Sequence, residues 1–368
     1  MPDKRPDRLT ARQAAALTFV SMLSPLIRQM PGHALASAGH AVWLSALLAV
    51  PLVLLYGALL ERLLPAGRGI AEALTEGLGA LGGRAAVFVF SLWLGVYAGF
   101  VLRAGADRFV GAVYPGSPVW LFAAVTLALA LLGASGRVLT LARFSELVIP
   151  LLGGVFLLVF AFALPQLEPE NLFPVSRADI GGAVRGALPL ADTLSLSAVF
   201  LFLRDRTEPE GAARTRVRAI LWLSLLGFLL CVYTVGAFGA ELASELNHPF
   251  FVLIREIRVF ELLERIEALV IAQWVIADFV LLGALFRITA DSVSLSLWGD
   301  KSARPRLSLA LTALFAAVSA ALCAPGAFAL RRFGAEIMPR VNAVMLFAAL
   351  PLLLWIAKLR HINTNRRA

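Results

Sequence analysis

The residues best placed to do chemistry in this chain are polar groups set inside long apolar runs. Ser21, Ser24, Pro25 and Arg28 fall within Ser21–Pro31, and Gly186, Pro189, Asp192, Thr193, Ser195 and Ser197 follow one another further on. Proline has no amide hydrogen, so Pro25 leaves a carbonyl one turn earlier without its helical partner. Exposed backbone is costly in lipid and is tolerated where it lines a cavity or is buried in protein. The chemistry on offer is recognition rather than bond making. Helix N-termini can receive a carboxylate, and freed carbonyls an ammonium group or cation. The plainer reading of each stretch is an ordinary kinked helix.

Ionisable groups within apolar segments add three candidates: Arg103, Glu146 and Asp278. A charge at membrane depth is expensive unless paired or wetted. Arg103 and Glu146 lie near segment ends, where a long side chain such as Arg103 can snorkel to the interface. Asp278 is deeper and is expected to face a cavity. Among Trp93, Tyr97 and Gly99, Tyr97 alone has a hydroxyl to offer a ligand. Glu261, Glu264, Arg265 and Glu267 recur at helical spacing and read as a solvated, salt-bridged helix entrance.

Enzyme signatures are missing from the sequence. There is no Walker-type phosphate loop and no H-E-x-x-H, and His33, His40, His248 and His361 are scattered near segment edges. Neither a metal nor a cofactor is expected. Cys231 and Cys323 both sit in apolar blocks, as small buried hydrophobes rather than a disulfide.

The elements that must position these groups follow from composition. Hydrophobic residues make up 60% of 368 positions and charged residues 15%. Soluble domains run nearer half apolar and a quarter charged. A bilayer core of roughly 30 Å needs about 20 apolar residues as helix. Ten segments approach that length: 13–31, 41–60, 85–107, 118–134, 144–164, 184–203, 219–240, 262–286, 307–324 and 338–357. The sixth is the weakest, because Asp192–Ser197 interrupts it. Ile70–Leu81 looks amphipathic and is expected to lie along the surface, and the loop opening at Pro165 is long enough for a short helix. No cleavable signal peptide is expected, since the first segment leads straight into further spans.

Orientation is set by Lys and Arg. With both termini cytoplasmic, most of the 33 basic residues fall inside, among them Arg62, Arg68, Arg84, Arg204, Arg206, Arg214, Arg216, Arg218, Lys301 and Lys358. The net charge of +9 then meets anionic lipid, and no nucleic acid is needed to explain it. If ten spans form two halves of five, spans one and six correspond. Interrupted segments at matched places point to a transporter-like binding site.

Read in order, several segments resemble the B-subunit family of spore germinant receptors, a permease-like branch of the amino acid–polyamine–organocation superfamily. They are Leu9–Gln13 with a first span ending at Met30-Pro31, then Ala38-Gly39, Tyr97–Arg103 (YAGFVLR) and Ala142–Pro150 (ARFSELVIP). Leu164–Val175 (LPQLEPENLFPV), Gly186–Pro189 (GALP), His248-Pro249 and Phe260–Trp274 (FELLERIEALVIAQW) complete the set. The resemblance implies an all-α integral membrane protein of two inverted five-helix repeats, LeuT-like, at about 10–165 and 184–358, with spans one and six discontinuous. It implies assembly with A-type and C-type receptor subunits in the endospore inner membrane. It also implies a small-molecule germinant, commonly an amino acid. Carried onto this chain, the pocket would be Ser21, Ser24, Pro25, Leu26 and Ile27 of span one, Asp192, Thr193, Ser195 and Ser197 of span six, Tyr97 and Asp278. The chain departs from the family where a glycine-rich stretch and a glutamate are usual in span six, since it reads Leu194–Val199 there, and in carrying the basic Arg28. Three functions remain open: a ligand-sensing receptor subunit, a proton- or sodium-coupled amino acid transporter, and a structural or channel-forming component.

Overall fold

The computed structural model describes residues 8–246, 248–256 and 266–365. Glu261, Glu264 and Arg265, and with them the start of the expected eighth span, lie outside the described residues. Helix α1 (Ala11–Gln29) opens on a capping box. The Thr10 hydroxyl accepts from the Gln13 amide at 3.2 Å, and the Gln13 side chain accepts from the Thr10 amide at 3.1 Å. Two of the helix's free donors are thereby satisfied.

The first span is interrupted, but later than Pro25. Helix α1 carries Pro25 in its interior and ends at Gln29. Met30 is extended (φ −96°, ψ 141°), the Met30-Pro31 peptide is cis, and α2 (Gly32–Ala38) follows. The cause is local at one proline and tertiary at the other. A residue before proline is pushed out of the α region, and Met30 yields. Ser24, before Pro25, stays helical with its hydroxyl tied to Asp278 and Arg108.

Helix α3 (Val42–Leu63) is followed by α4 (Ile70–Val113), which bends at Gly79 (φ 83°, ψ 169°). That conformation is open essentially to glycine alone. The bend falls near the end of the amphipathic Ile70–Leu81 stretch, ahead of the third span. Then come α5 (Val119–Ser135) and α6 (Val138–Ala163). The loop after Pro165 holds 3-10 turns at Leu164–Gln166 and Pro169–Asn171. Helix α7 (Arg177–Ser195) passes at Leu196 into a 3-10 helix, Leu196–Arg206, so the sixth span changes its winding within the expected interruption.

Helix α8 (Ala212–Glu245) bends at Gly239, and α9 (Pro249–Glu256), α10 (Ile266–Trp298) and α11 (Pro305–Cys323) follow. The last span joins α12 (Ala327–Arg332), α13 (Met338–Ala343) and α14 (Leu350–Asn365) through π turns at Phe333–Ile337 and Val344–Ala349.

Among the described residues, eight helical stretches are long and apolar enough to cross a membrane. Val119–Ser135 is shorter and apolar, and α1, diluted by Ser21, Ser24, Arg28 and Gln29, makes up the ten expected segments. Leu55, Leu132, Leu147, Leu157 and Leu322 stand outward and exposed. An exposed apolar surface this extensive belongs in hydrocarbon, not water. Inside, α10 packs against α4, α5, α1 and α11, while α1 packs against α8, α10 and α6, and α7 against α2 and α3. Where α4 meets α11, a Cβ on Gly99 would come within 2.5 Å of the Ala316 carbonyl. Gly99 is therefore a packing position.

One end of the bundle is laced by ions. Lys301 contacts both Glu72 and Asp205, the latter at 3.0 Å, and Glu61 meets both Arg204 and Arg216. Arg206 meets Asp291 at 2.7 Å. The chain before α1 is strapped to the same end, where Leu9 donates its amide to Arg206 and accepts from Glu208 at 2.9 Å.

Candidate ligand-binding site

The interior of the bundle holds a polar cluster drawn from α1, α4, α7 and α10. At its base Arg108 of α4 donates to Asp278 of α10 at 2.6 Å, with both side chains almost fully buried. Ser24 of α1 donates to the other oxygen of Asp278 and receives Arg108 at 3.3 Å. The Arg108 guanidinium also lies 4.8 Å over the Trp274 ring. Three helices distant in sequence are thus tied at one point. A carboxylate in such a site is stabilised by its fixed counter-charge and second donor. Gly105, one turn before Arg108, gives Asp278 its room: a Cβ there would lie 2.8 Å from the carboxylate.

Toward the C-terminal end of α1, Arg28 places its guanidinium 4.8 Å over the Phe100 ring. The Tyr97 hydroxyl lies beside it, without a well-formed hydrogen bond between them. Among the described residues, the three Arg28 guanidinium nitrogens and the hydroxyls of Tyr97, Ser21 and Ser195 are buried without partners, as is one oxygen of Asp192. Asp192 lies within electrostatic reach of both Tyr97 and Tyr56. Buried polar atoms are normally paired. Arg28, Tyr97 and Asp192, left open and linked through Tyr97 by their electrostatic reach, make a place where a ligand's polar groups can be received. His248, in the connection before α9, feels the charges of Arg108 and Arg28. Its burial, with those charges, lowers the imidazole pKa to about 4.

The sequence-derived candidates divide among several environments. Ser24 and Asp278 join directly, while Ser21, Tyr97, Asp192 and Ser195 carry the unpartnered atoms. Thr193 turns instead to the end of α1, its hydroxyl 2.9 Å from the Gln29 side-chain oxygen. Leu26 faces α8, where it packs by Gly227 with Met30, and Pro25 and Ile27 are buried apolar wall. Ser197 is buried in the 3-10 segment. Arg103 is buried over Trp120, donating to the Ala324 carbonyl and Asp107, and Glu146 pairs with the exposed Arg12 at the bundle edge. Trp93 is held by the Asn342 side chain at 3.0 Å, a packing role. Cys231 and Cys323 are free thiols, and the described residues hold no cluster of metal-ligating side chains.

Arg108 is the residue that the sequence reading misses. It falls one position past the expected end of span three, outside the apolar segments that supply the candidates. The signal for it is Asp278 itself, since a deep carboxylate demands a basic partner at matching depth.

A family model for spore germination proteins matches residues 8–318. The chain belongs to the spore permease family of spore germination proteins. A relative from Bacillus subtilis (strain 168), described as "Putative spore germination protein YfkT", is 24% identical over 273 residues, covering 73% of this chain and 75% of its own. Two solved structures share the fold. MhsT in complex with L-phenylalanine superposes with a TM-score of 0.59 at 14% identity, over 95% of each chain. Mhp1, a nucleobase-cation-symport-1 family transporter in a closed conformation with bromovinylhydantoin bound, gives 0.53 at 13% identity, over 96% of this chain and 79% of its own. The chain therefore has the LeuT-like, all-helical fold, with its first span interrupted at Met30-Pro31 and its sixth rewound at Leu196. It is an integral membrane protein in contact with lipid, of a permease-like and non-enzymatic kind.

Proposed function

We propose that this protein is the membrane subunit of a spore germinant receptor, binding a small nutrient, an amino acid, in the cluster between α1, α4, α7 and α10. The observation that supports the reading is the set of unpartnered buried groups on Arg28, Tyr97 and Asp192, linked through Tyr97 by their electrostatic reach inside a permease-like bundle, with the unpartnered hydroxyls of Ser21 and Ser195 on the same two interrupted spans. The pocket also takes in Ser24 and Asp278 as its fixed base, with the apolar Pro25, Leu26 and Ile27, and Thr193 and Ser197, as walls. The repeats run at about 10–165 and 184–358, so the four helices meet where the halves face each other. Both termini and the ion-laced end face the cytoplasm, in keeping with the positive-inside rule. The subunit sits in the endospore inner membrane with A-type and C-type partners, to which it passes the binding event.

The test is germination of spores lacking this chain, scored against single nutrients. Loss of response to one amino acid, restored by the wild-type chain and not by Asp192→Asn, is the expected result. Unchanged responses to every nutrient would sink the receptor reading. A second reading, a proton- or sodium-coupled amino acid transporter, draws on the fold shared with MhsT and Mhp1. Concentrative uptake of labelled amino acid by the purified chain in proteoliposomes would favour it over sensing alone.

A further inference from the structure

We propose that Arg28 is an anion receptor within this cluster, taking on its guanidinium a carboxylate carried by the ligand. The inference rests on the ligand-binding reading above. Arginine carries five donors in a planar fork, and here all three nitrogens that bear them are sealed from solvent and unpartnered. No carboxylate among the described residues forms an ion pair with them, and Asp192 is not among the groups whose charge acts on Arg28. Asp278 is committed to Arg108 and Ser24, and Asp107 is committed to Arg103. Asp192, whose charge reaches Tyr97 and Tyr56, forms no ion pair with a described base.

A desolvated guanidinium with a ring face, the Tyr97 hydroxyl and the more distant charge of Asp278 for neighbours, and no ion pair of its own, lacks most of its compensation. The contact with the Phe100 ring, 4.8 Å from the guanidinium carbon, uses none of the five donors, which stay uncommitted for an incoming group. A planar carboxylate fits that fork through two parallel hydrogen bonds. The Tyr97 hydroxyl beside it supplies a further donor. The same fork would not discriminate in favour of an uncharged amide or a nucleoside, so Arg28 makes the site selective for a free carboxylate.

The test uses the full-length purified chain and its apparent unfolding temperature. Sodium acetate is compared with sodium chloride at equal ionic strength, and L-phenylalanine with its carboxamide. Wild type is expected to be stabilised more by acetate than by chloride, and to bind the acid about tenfold or more tightly than the amide. Arg28→Gln should lose both preferences, while unfolding at a higher temperature than wild type without additives, because an unpaired buried charge is gone. Arg28→Lys, which keeps the charge without the fork, should retain part of the preference. Identical acetate responses in wild type and Arg28→Gln would overturn the proposal, as would an acid-over-amide preference that survives the substitution. An Arg28-dependent acetate response with no stabilisation by the amino acid would leave the anion receptor standing, and the amino acid reading would fall. Equal binding of acid and amide by wild type would do the reverse.

Discussion

Arg108 and Asp278, 170 positions apart in the chain, meet at 2.6 Å in the interior of the bundle, with Ser24 closing the contact from a third helix. The pair turns two charges that would each be prohibitive in this environment into a clamp on α1, α4 and α10. Removing one partner strands the other, at a cost of about 3–5 kcal/mol, whereas replacing both with apolar residues of similar size costs far less. Asp278→Asn and Arg108→Gln should each lower the unfolding temperature markedly. Arg108→Met combined with Asp278→Leu should restore most of it. A double variant as unstable as the singles would show that shape, not charge balance, dominates at this point.

Gly105 should matter through the same carboxylate. Its missing Cβ is what admits Asp278, since a methyl group there would lie 2.8 Å from Oδ2. Gly105→Ala is expected to destabilise the protein by about 1–3 kcal/mol, the usual range for overpacking. Its cost should shrink when Asp278 has been replaced together with Arg108, because neighbours sharing one contact are not additive. A double-mutant cycle in thermal unfolding measures that coupling. Strict additivity would place the strain elsewhere.

The fold was largely legible in the residues and the site only in part. Long uncharged runs such as Val119–Leu132 and Leu147–Leu164 have few stable homes other than a bilayer, so span number and approximate bounds followed directly. Pro25 marked an irregular span correctly but not the place where it opens. A helix held by the Ser24 contacts can absorb one missing hydrogen bond, whereas Met30 before Pro31 has no such hold. Asp278 was visible as a deep charge, yet its partner Arg108 was not, because hydropathy ends span three at about residue 107 while α4 runs on to Val113. Pairings between helices are set by rotation and depth, which a one-dimensional pattern records only as polar residues awaiting partners. That is also why Thr193 and Leu26, sensible pocket candidates by position, turn to Gln29 and to α8.

The ion-laced end offers a contrast in magnitude. Lys301 sits between the Glu72 and Asp205 carboxylates with all three side chains largely covered. Arg332 and Glu336 form an i,i+4 pair that is more than half exposed. Exposed pairs are worth about 0–1 kcal/mol, so Arg332→Ala should leave stability unchanged to within about 0.5 kcal/mol. Lys301→Ala leaves two carboxylates facing each other and should cost about 1–3 kcal/mol. Equal effects of the two substitutions on unfolding temperature would argue that Lys301 is solvated and holds nothing.

His248 supplies the pH dependence. Unfolded, its imidazole titrates near 6.5. In the folded protein, burial is the main influence that lowers this to about 4, with the positive charges of Arg108, Arg28 and Arg331 adding to it and Asp107 opposing. Between those two values the unfolded chain binds the extra proton and the folded chain does not, so stability falls as pH is lowered through the window. Above pH 6.5 the imidazole is neutral in both states and contributes no slope, and below about 4 it is protonated in both. Unfolding temperatures measured from pH 7 to 4 should therefore decline more steeply for wild type than for His248→Gln, whose amide does not titrate. Because the imidazole lies within reach of both interior arginines, protonation adds a third positive charge beside them. The variant should accordingly show its largest advantage near the bottom of the window. Parallel curves for the two proteins would mean that His248 is solvated in the folded state and that other groups set the acid limit.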